Sequence, residues 1–191
     1  MVERTMSINL KPRPEEQRVS QIIAAARQDP RVFGELYSLY AQSVFRYLYS
    51  RIGSLADAED ATAQTFLAAL EQLPKYRHDG YFASWLFSIA HHKAMDHFRK
   101  RRKETSLDEA DLIPDDTNLF QQVIKTERIA TLSKLIRTLP EDEQELIRLR
   151  YVADLNFAEI GHMLGHKEDT VKKSLYRLLA RLEAQLEESN V

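Results

Sequence analysis

The residues best suited to chemistry in this sequence are cations and aromatics, and they gather in two stretches. From Leu86 to Lys103 six Lys or Arg stand against one acid, ending in the unbroken run Arg99-Lys100-Arg101-Arg102-Lys103, and from Lys167 to Leu182 five stand against two. Such density neutralises phosphates and releases their counterions, the footprint of a polyanion site. A solvated helix end is the competing explanation for the run, because cations there complement the helix dipole. Just ahead of the first stretch, Tyr76, Tyr81 and Phe82 offer flat faces that can stack on unpaired bases of any identity, or pack into a core. Trp85 and Ile89 are expected in the core.

In the second stretch Val171, Leu175, Leu178, Leu182 and Leu186 recur at three and four and make one apolar stripe. Lys172, Lys173, Tyr176, Arg177 and Arg181 fall on the opposite face, where a recognition helix meets phosphates and base edges of the major groove. A charged helix face is ordinarily only solvated; the short helix and glycine turn before this one shift the reading toward DNA. Glu168 can accept from a cytosine amino group, and Asp169 suits a helix start.

Catalytic and metal-binding classes find little support. The chain has no cysteine, which removes thiolate zinc sites, disulfides and cysteine nucleophiles. His91, His92 and His97 lack the four-residue spacing of a helical metal pair, and His162 with His166 straddles a turn at Gly165; these histidines are expected to cap, pack or touch DNA. No phosphate-cradling glycine loop, nucleophile elbow or carboxylate pair is found, so neither a metal nor a cofactor is expected. Asp57, Glu59 and Asp60 cluster on one turn and suit a basic partner surface.

The elements that must position these residues read as helices throughout. Five glycines in 191 residues, 43% hydrophobic content and long runs of Leu, Ala, Glu, Arg and Gln predict an all-α protein large enough to bury a core. Phe33, Leu36, Tyr37, Tyr40, Val44, Leu48 and Ile52 predict a helix ending near Gly53, and Ser54 with Asp57 predicts the cap of a second helix that Pro74 stops. Residues 120–138 carry a further helical pattern, Pro140 begins another helix running to about Tyr151, and Asn156 with Glu159 predicts a second capping box. From Glu104 to Asp116 there are six acids and no cation, which predicts a flexible acidic linker between two small helical domains. The expected division is a polar leader at 1–18, an N-terminal helical domain at 19–103, the linker at 104–117, a domain with a helix-turn-helix at 118–187 and a tail at 188–191. The overall charge of -2 conceals this segregation. No stretch approaches the length of a membrane span and no signal peptide is evident, so a cytoplasmic protein without membrane insertion is expected.

In order along the chain, FGELYSLYAQSVFRYLYSRIG (33–53), DAEDATAQTFLAALEQL (57–73), FASWLFSIAHHKAMDHFRKRRK (82–103) and LPEDEQELIRLRYVADLNFAEIGHMLGHKEDTVKKSLYRLLARL (139–182) resemble the extracytoplasmic-function (ECF) group of bacterial RNA polymerase sigma factors. The resemblance implies that Asp57, Glu59, Asp60, Gln64 and Phe66 meet the clamp coiled-coil of core RNA polymerase. It implies that Tyr76, Tyr81, Phe82, His92, Arg99, Arg101 and Arg102 serve the opened minus-ten element of promoter DNA. For the minus-thirty-five element it implies Glu168, Thr170, Lys172, Lys173, Tyr176, Arg177 and Arg181. It also implies a specificity subunit that catalyses nothing itself and an anti-sigma factor as the controlling partner, since little chain follows the last helix. Where the family often has IARN the chain reads Ile89-Ala90-His91-His92, and Ser174 and Leu179 stand where basic residues are common, with Lys173 the neighbouring charge. A stand-alone helix-turn-helix DNA-binding regulator is the alternative.

Overall fold

The computed structural model describes residues 16–77, 79–105 and 127–188. Among the described residues the regular structure is entirely helical. Helix α1 (Glu16–Gln28) buries Val19, Ile22, Ile23 and Ala26, one stripe at helical spacing. Residues 16–18 therefore begin a helix instead of ending a polar leader; 1–15 lie outside the described residues. A short 3₁₀ turn (Pro30–Val32), capped by Asp29 accepting from the Arg31 N–H at 3.0 Å, leads into α2 (Phe33–Ile52).

Gly53 ends α2 with φ of 79° and donates its N–H to the Tyr49 carbonyl, a left-handed stop that glycine adopts without strain. Ser54 then caps α3 (Leu55–Gln72), its side chain accepting from the Asp57 N–H at 3.4 Å. Helix α4 (Phe82–Thr105) carries the aromatic and basic stretch and continues past Lys103. The acidic linker expected at 104–117 lies outside the described residues, apart from 104–105, which finish α4.

The second unit comprises α5 (Glu127–Arg137), α6 (Glu141–Ile147), α7 (Phe157–Leu164) and α8 (Glu168–Glu188). The stretch expected to be helical at 120–138 is described only from 127. A π turn (Arg148–Val152) prolongs α6, with Ala153 donating to the Arg148 carbonyl at 2.9 Å. Asn156 and Glu159 form the expected reciprocal box: the Glu159 N–H donates to Asn156 Oδ1 at 2.8 Å and the Asn156 N–H to Glu159 Oε2 at 2.7 Å.

Helices α2, α3 and α4 pack on one another around Leu36, Val44, Tyr47, Leu48, Ala58, Leu86 and Ala90, with α1 laid along α2. Leu149, Ala153, Leu155 and Ile160 of the second unit belong to the same buried cluster, while Leu175, Leu178 and Leu182 of α8 form a smaller one with Leu135 and Ile136. The two units are thus docked, α7 against α4 and the π turn against α2. The two helical units expected on either side of the linker are both present, and apolar positions spread over both share one buried cluster.

Candidate nucleic-acid interface

Helix α8 presents its basic residues as the stripe requires. Val171, Leu175, Leu178, Leu182 and Leu186 are buried, and Glu168, Thr170, Lys172, Lys173, Tyr176, Arg177 and Arg181 are exposed. The turn before it is tight. Gly165 closes α7 at φ of 70°, the His166 N–H donates to the Gly161 carbonyl at 2.8 Å, and a Cβ at Gly161 would lie 2.6 Å from the His166 carbonyl oxygen. Only a residue without a side chain fits there, so Gly161 fixes how closely α8 approaches α7. Tyr176 is held edge-on to Phe157 at 6.0 Å and lies beneath the Lys172 ammonium, while the Arg150 guanidinium covers Phe157 at 5.2 Å. Arg181 pairs with Glu143 of α6, so that cation already has a partner within the chain.

The α4 strip is more mixed. His92, Arg99 and Arg102 are exposed, Arg101 is half-buried, and Arg99 pairs with Asp96 one turn earlier. Two of the expected stacking aromatics are not at the surface. Phe82 and Tyr76 are buried, Phe82 lying 5.5 Å from Tyr40, and Tyr76 lying 5.7 Å from Phe82 and 4.4 Å from Trp85. The Arg27 guanidinium donates to the Leu73 and Tyr76 carbonyls, pinning the loop that carries this cluster. Burial, followed by the nearby Asp79 charge, pushes the Tyr76 hydroxyl above the ordinary tyrosine range. In this packing neither ring has a free face for a base. Tyr81 is half-buried, its ring stacked on His162 of α7 at 4.4 Å and 15°.

On α3, Glu59 and Asp60 are exposed, and Asp57 and Gln64 are half-buried, Gln64 donating to Asp60 at 2.5 Å. Phe66, the apolar member of the expected polymerase-binding set, is instead in the core, edge-on to Phe33 at 6.4 Å and Tyr37 at 4.7 Å. Its neighbour Leu67 is 58% exposed and Leu55 55% exposed, on the same face as the acids. The one-residue difference follows from the helix phase: Ala58, Ala61, Thr62, Thr65, Phe66 and Ala69 form the buried stripe, which leaves Glu59, Asp60, Ala63 and Leu67 outward. Motif matching selected the aromatic, whereas periodicity selects Leu67.

Sequence reasoning missed a polar cluster between the two units. Glu145 of α6, 6% exposed, accepts from the Tyr47 hydroxyl at 2.6 Å and from the Arg51 guanidinium, and His91 Nδ1 stands 3.3 Å away. Arg148 lies 3.6 Å from the same carboxylate, and Glu141 ties Arg51 and Arg148 together at 3.1 and 3.0 Å. Burial alone would raise the Glu145 carboxyl. Hydrogen bonding by His91, the Arg51 charge and the Tyr47 hydrogen bond outweigh it and hold the carboxyl below the usual range. The Tyr47 hydroxyl is pushed far upward, first by burial and then by the Glu145 charge. The available signal was an acid four residues before Leu149 on the inward side of its helix.

The matches to known families follow this division. The model of Sigma-70 region 2 matches residues 36–104 and that of Sigma-70 region 4 matches residues 129–182. The ECF RNA polymerase sigma factor SigM of Bacillus subtilis is 31% identical over 155 residues, covering 78% of this chain and 92% of SigM. The chain belongs to the ECF RNA polymerase sigma factors.

The sigma factor BldN of Streptomyces coelicolor is 33% identical over 156 residues, though the chain spans only 58% of BldN's length. The structure of CnrH in complex with the cytosolic domain of CnrY shares the fold, with a TM-score of 0.64 and 23% identity over 91% of this chain and 99% of CnrH. Region 2 of this sigma factor thus contains most of α2, all of α3 and the α4 strip, and region 4 contains most of α5, all of α6 and α7 and most of α8. The Glu145 cluster ties one region to the other. No described helix is long and apolar enough to cross a membrane.

Proposed function

We propose that this sigma factor works in the cytoplasm as a specificity subunit, with 19–103 as its polymerase and minus-ten domain, 104–117 as a linker and 118–187 as its minus-thirty-five domain. In this reading the α3 face bearing Asp57, Glu59, Asp60 and Gln64, with Leu67 in place of the buried Phe66, meets core RNA polymerase. The surface formed by Tyr81, just ahead of α4, and by His92, Arg99, Arg101 and Arg102 of α4 meets the separated minus-ten strand. The α8 face bearing Lys172, Lys173, Tyr176 and Arg177 reads the minus-thirty-five duplex. The chain contributes binding energy and no catalytic group: contacts to an extruded base offset the unpairing cost of a few kcal/mol. CnrH is seen with CnrY, and an anti-sigma factor is the corresponding partner proposed here.

The observation that carries this reading is the pairing of an outward acidic and apolar α3 face with two outward basic surfaces in separate regions. Reconstituted transcription tests it. Purified chain plus core polymerase should initiate at defined promoters, and reversing Asp57, Glu59 and Asp60 to lysine should abolish association with core while leaving duplex binding by α8 intact. Core binding unaffected by the reversal, or duplex-directed regulation without polymerase, would overturn it.

A further inference from the structure

The loop that joins α3 to α4 is held from outside. Helix α3 ends at Gln72, and the carbonyls of a helix's last turn have no partner within it. The Lys75 and Tyr76 N–H groups donate to the Gln72 carbonyl at 3.0 and 3.1 Å, and the Tyr76 N–H also reaches the Leu73 carbonyl at 3.2 Å. The Arg27 guanidinium of α1 adds the long-range contacts: Nε donates to the Leu73 carbonyl at 3.3 Å and Nη2 to the Tyr76 carbonyl, across 46 and 49 residues of chain. A planar guanidinium can bridge two carbonyls with separate N–H groups, and its charge suits the negative end of α3. At the far end of the loop the Glu16 carboxylate, also of α1, fills the space beside Gly80.

This tie decides which way the loop side chains face. Tyr76 is buried, its ring 4.4 Å from Trp85 and 5.7 Å from Phe82. Lys75 and Arg77, on either side of it, are exposed, and so is Asp79, whose carboxylate accepts from the Tyr81 N–H at 3.2 Å. One inward ring thus fixes two outward cations, and Asp79 sets the approach to α4. The Tyr76 hydroxyl is pushed upward first by burial and then by Asp79, with Tyr40, Arg27 and Glu16 also acting on it, so side chains of α1, α2 and the loop converge there. Arg27 itself is exposed and adds little to core packing. What it holds is backbone.

We propose that Arg27 is a positioning residue for strand recognition: by tying the Leu73 and Tyr76 carbonyls to α1, it sets where Lys75, Arg77 and Tyr81 stand against a separated DNA strand. The strand-binding role of this surface rests on the function proposed above; the tie itself does not. Helix α1 thereby belongs to the reader although none of its residues needs to contact DNA. Contacts to phosphate require only charge near the strand, whereas discrimination among unpaired bases requires the loop to be held at a fixed distance from α4. Loss of the tie therefore costs base preference more than bulk affinity.

Trp85 is the single tryptophan of the chain and lies against Tyr76, so its emission reports on the loop without DNA. In free protein Arg27→Ala should redden Trp85 emission and raise its quenching by acrylamide, with helicity unchanged. Holoenzyme assembled from core polymerase and the full chain is then offered a pool of fork-junction DNA with a randomised single-stranded stretch, and the bound sequences are counted. Arg27→Ala should flatten the base preference of wild type by about five-fold or more at the most discriminating position, while core association and duplex binding by α8 stay as in wild type. Arg27→Lys, a point charge that cannot bridge both carbonyls as the guanidinium does, should recover part of both readouts. Unchanged base preference overturns the proposal, and a shift in Trp85 emission alone makes Arg27 a structural tie and nothing more. Altered preference with unchanged Trp85 emission overturns it equally, because the loop has then not moved. Where Arg27→Ala loses helicity, Arg27→Lys decides by the same two readouts. A wild-type holoenzyme that enriches no sequence overturns the strand-binding role itself, and the proposal with it.

Discussion

The Tyr47 hydroxyl of α2 donates to Glu145 Oε1 of α6 at 2.6 Å across 98 residues of chain, while the Tyr47 ring lies edge-on to Phe87 of α4 at 5.4 Å. One side chain therefore serves both the region-2 core and the polar contact to region 4. Tyr47→Phe separates the roles, because the ring stays and only the hydroxyl goes. Loss of a buried hydrogen bond to a charged group costs about 1.5–3 kcal/mol. The urea midpoint should fall accordingly with an unchanged slope, and a midpoint equal to wild type would mean the hydrogen bond contributes nothing net.

Acid should open the same contact. In the docked arrangement Glu145 faces Tyr47 and Arg51 of α2, His91 of α4 and Arg148 of the π turn, with Glu141 on its own helix, and its carboxyl is held below the usual 4.5. A depressed carboxyl contributes stability that is complete above the usual value and is lost as pH falls through the lower docked-state value. Small-angle scattering should show the chain expanding as pH drops below about 4.5 while far-ultraviolet dichroism retains helix. Glu145→Gln should expand at neutral pH and lose most of this response. An acid expansion identical in Glu145→Gln would assign it to other carboxylates.

Local signals along the chain were legible and distant ones were not. Gly53, Ser54, the Asn156 and Glu159 box and Gly165 all cap helices where their types and spacing place them, because a cap is decided within a few residues. Helix α1 escaped notice because its stripe is only four residues long, Val19, Ile22, Ile23 and Ala26, and lies between polar flanks. Tyr76 and Phe82 carried two possible fates, and only the approach of Tyr40, Trp85 and Arg27 from other elements settled them. The Glu145 cluster joins residues 54 to 98 positions apart, a separation over which neither periodicity nor capping carries information.

The turn of the helix-turn-helix should depend on Gly161 more than on Gly165. A Cβ at Gly161 would lie 2.6 Å from backbone, whereas one at Gly165 meets nothing within 4 Å and faces only its positive φ. Overpacking against backbone costs about 1–3 kcal/mol. Gly161→Ala should lower the unfolding midpoint and weaken duplex binding, since α8 must shift away from α7. Gly165→Asn should be milder on both counts, as asparagine tolerates the left-handed conformation. Equal effects from the two changes would remove the close approach as the reason for glycine at 161.

The cations of α8 should differ in what they give to DNA. Each phosphate contact contributes close to one unit to the slope of log affinity against log salt, so Arg177→Ala, at an exposed position opposite the apolar stripe, should reduce that slope by about 1. Lys173→Ala should do likewise. Arg181 begins from an ion pair with Glu143, and a partly exposed pair of this kind is worth about 0.2–1 kcal/mol. That amount must be surrendered before Arg181 can reach a phosphate, so Arg181→Ala should weaken binding less than Arg177→Ala, and Glu143→Gln should tighten it. Fluorescence anisotropy with a labelled duplex over a salt series separates these outcomes. A slope unchanged by Arg177→Ala would take that residue off the phosphate-contact surface, and a Glu143→Gln protein that binds no better than wild type would show that the ion pair does not compete with DNA.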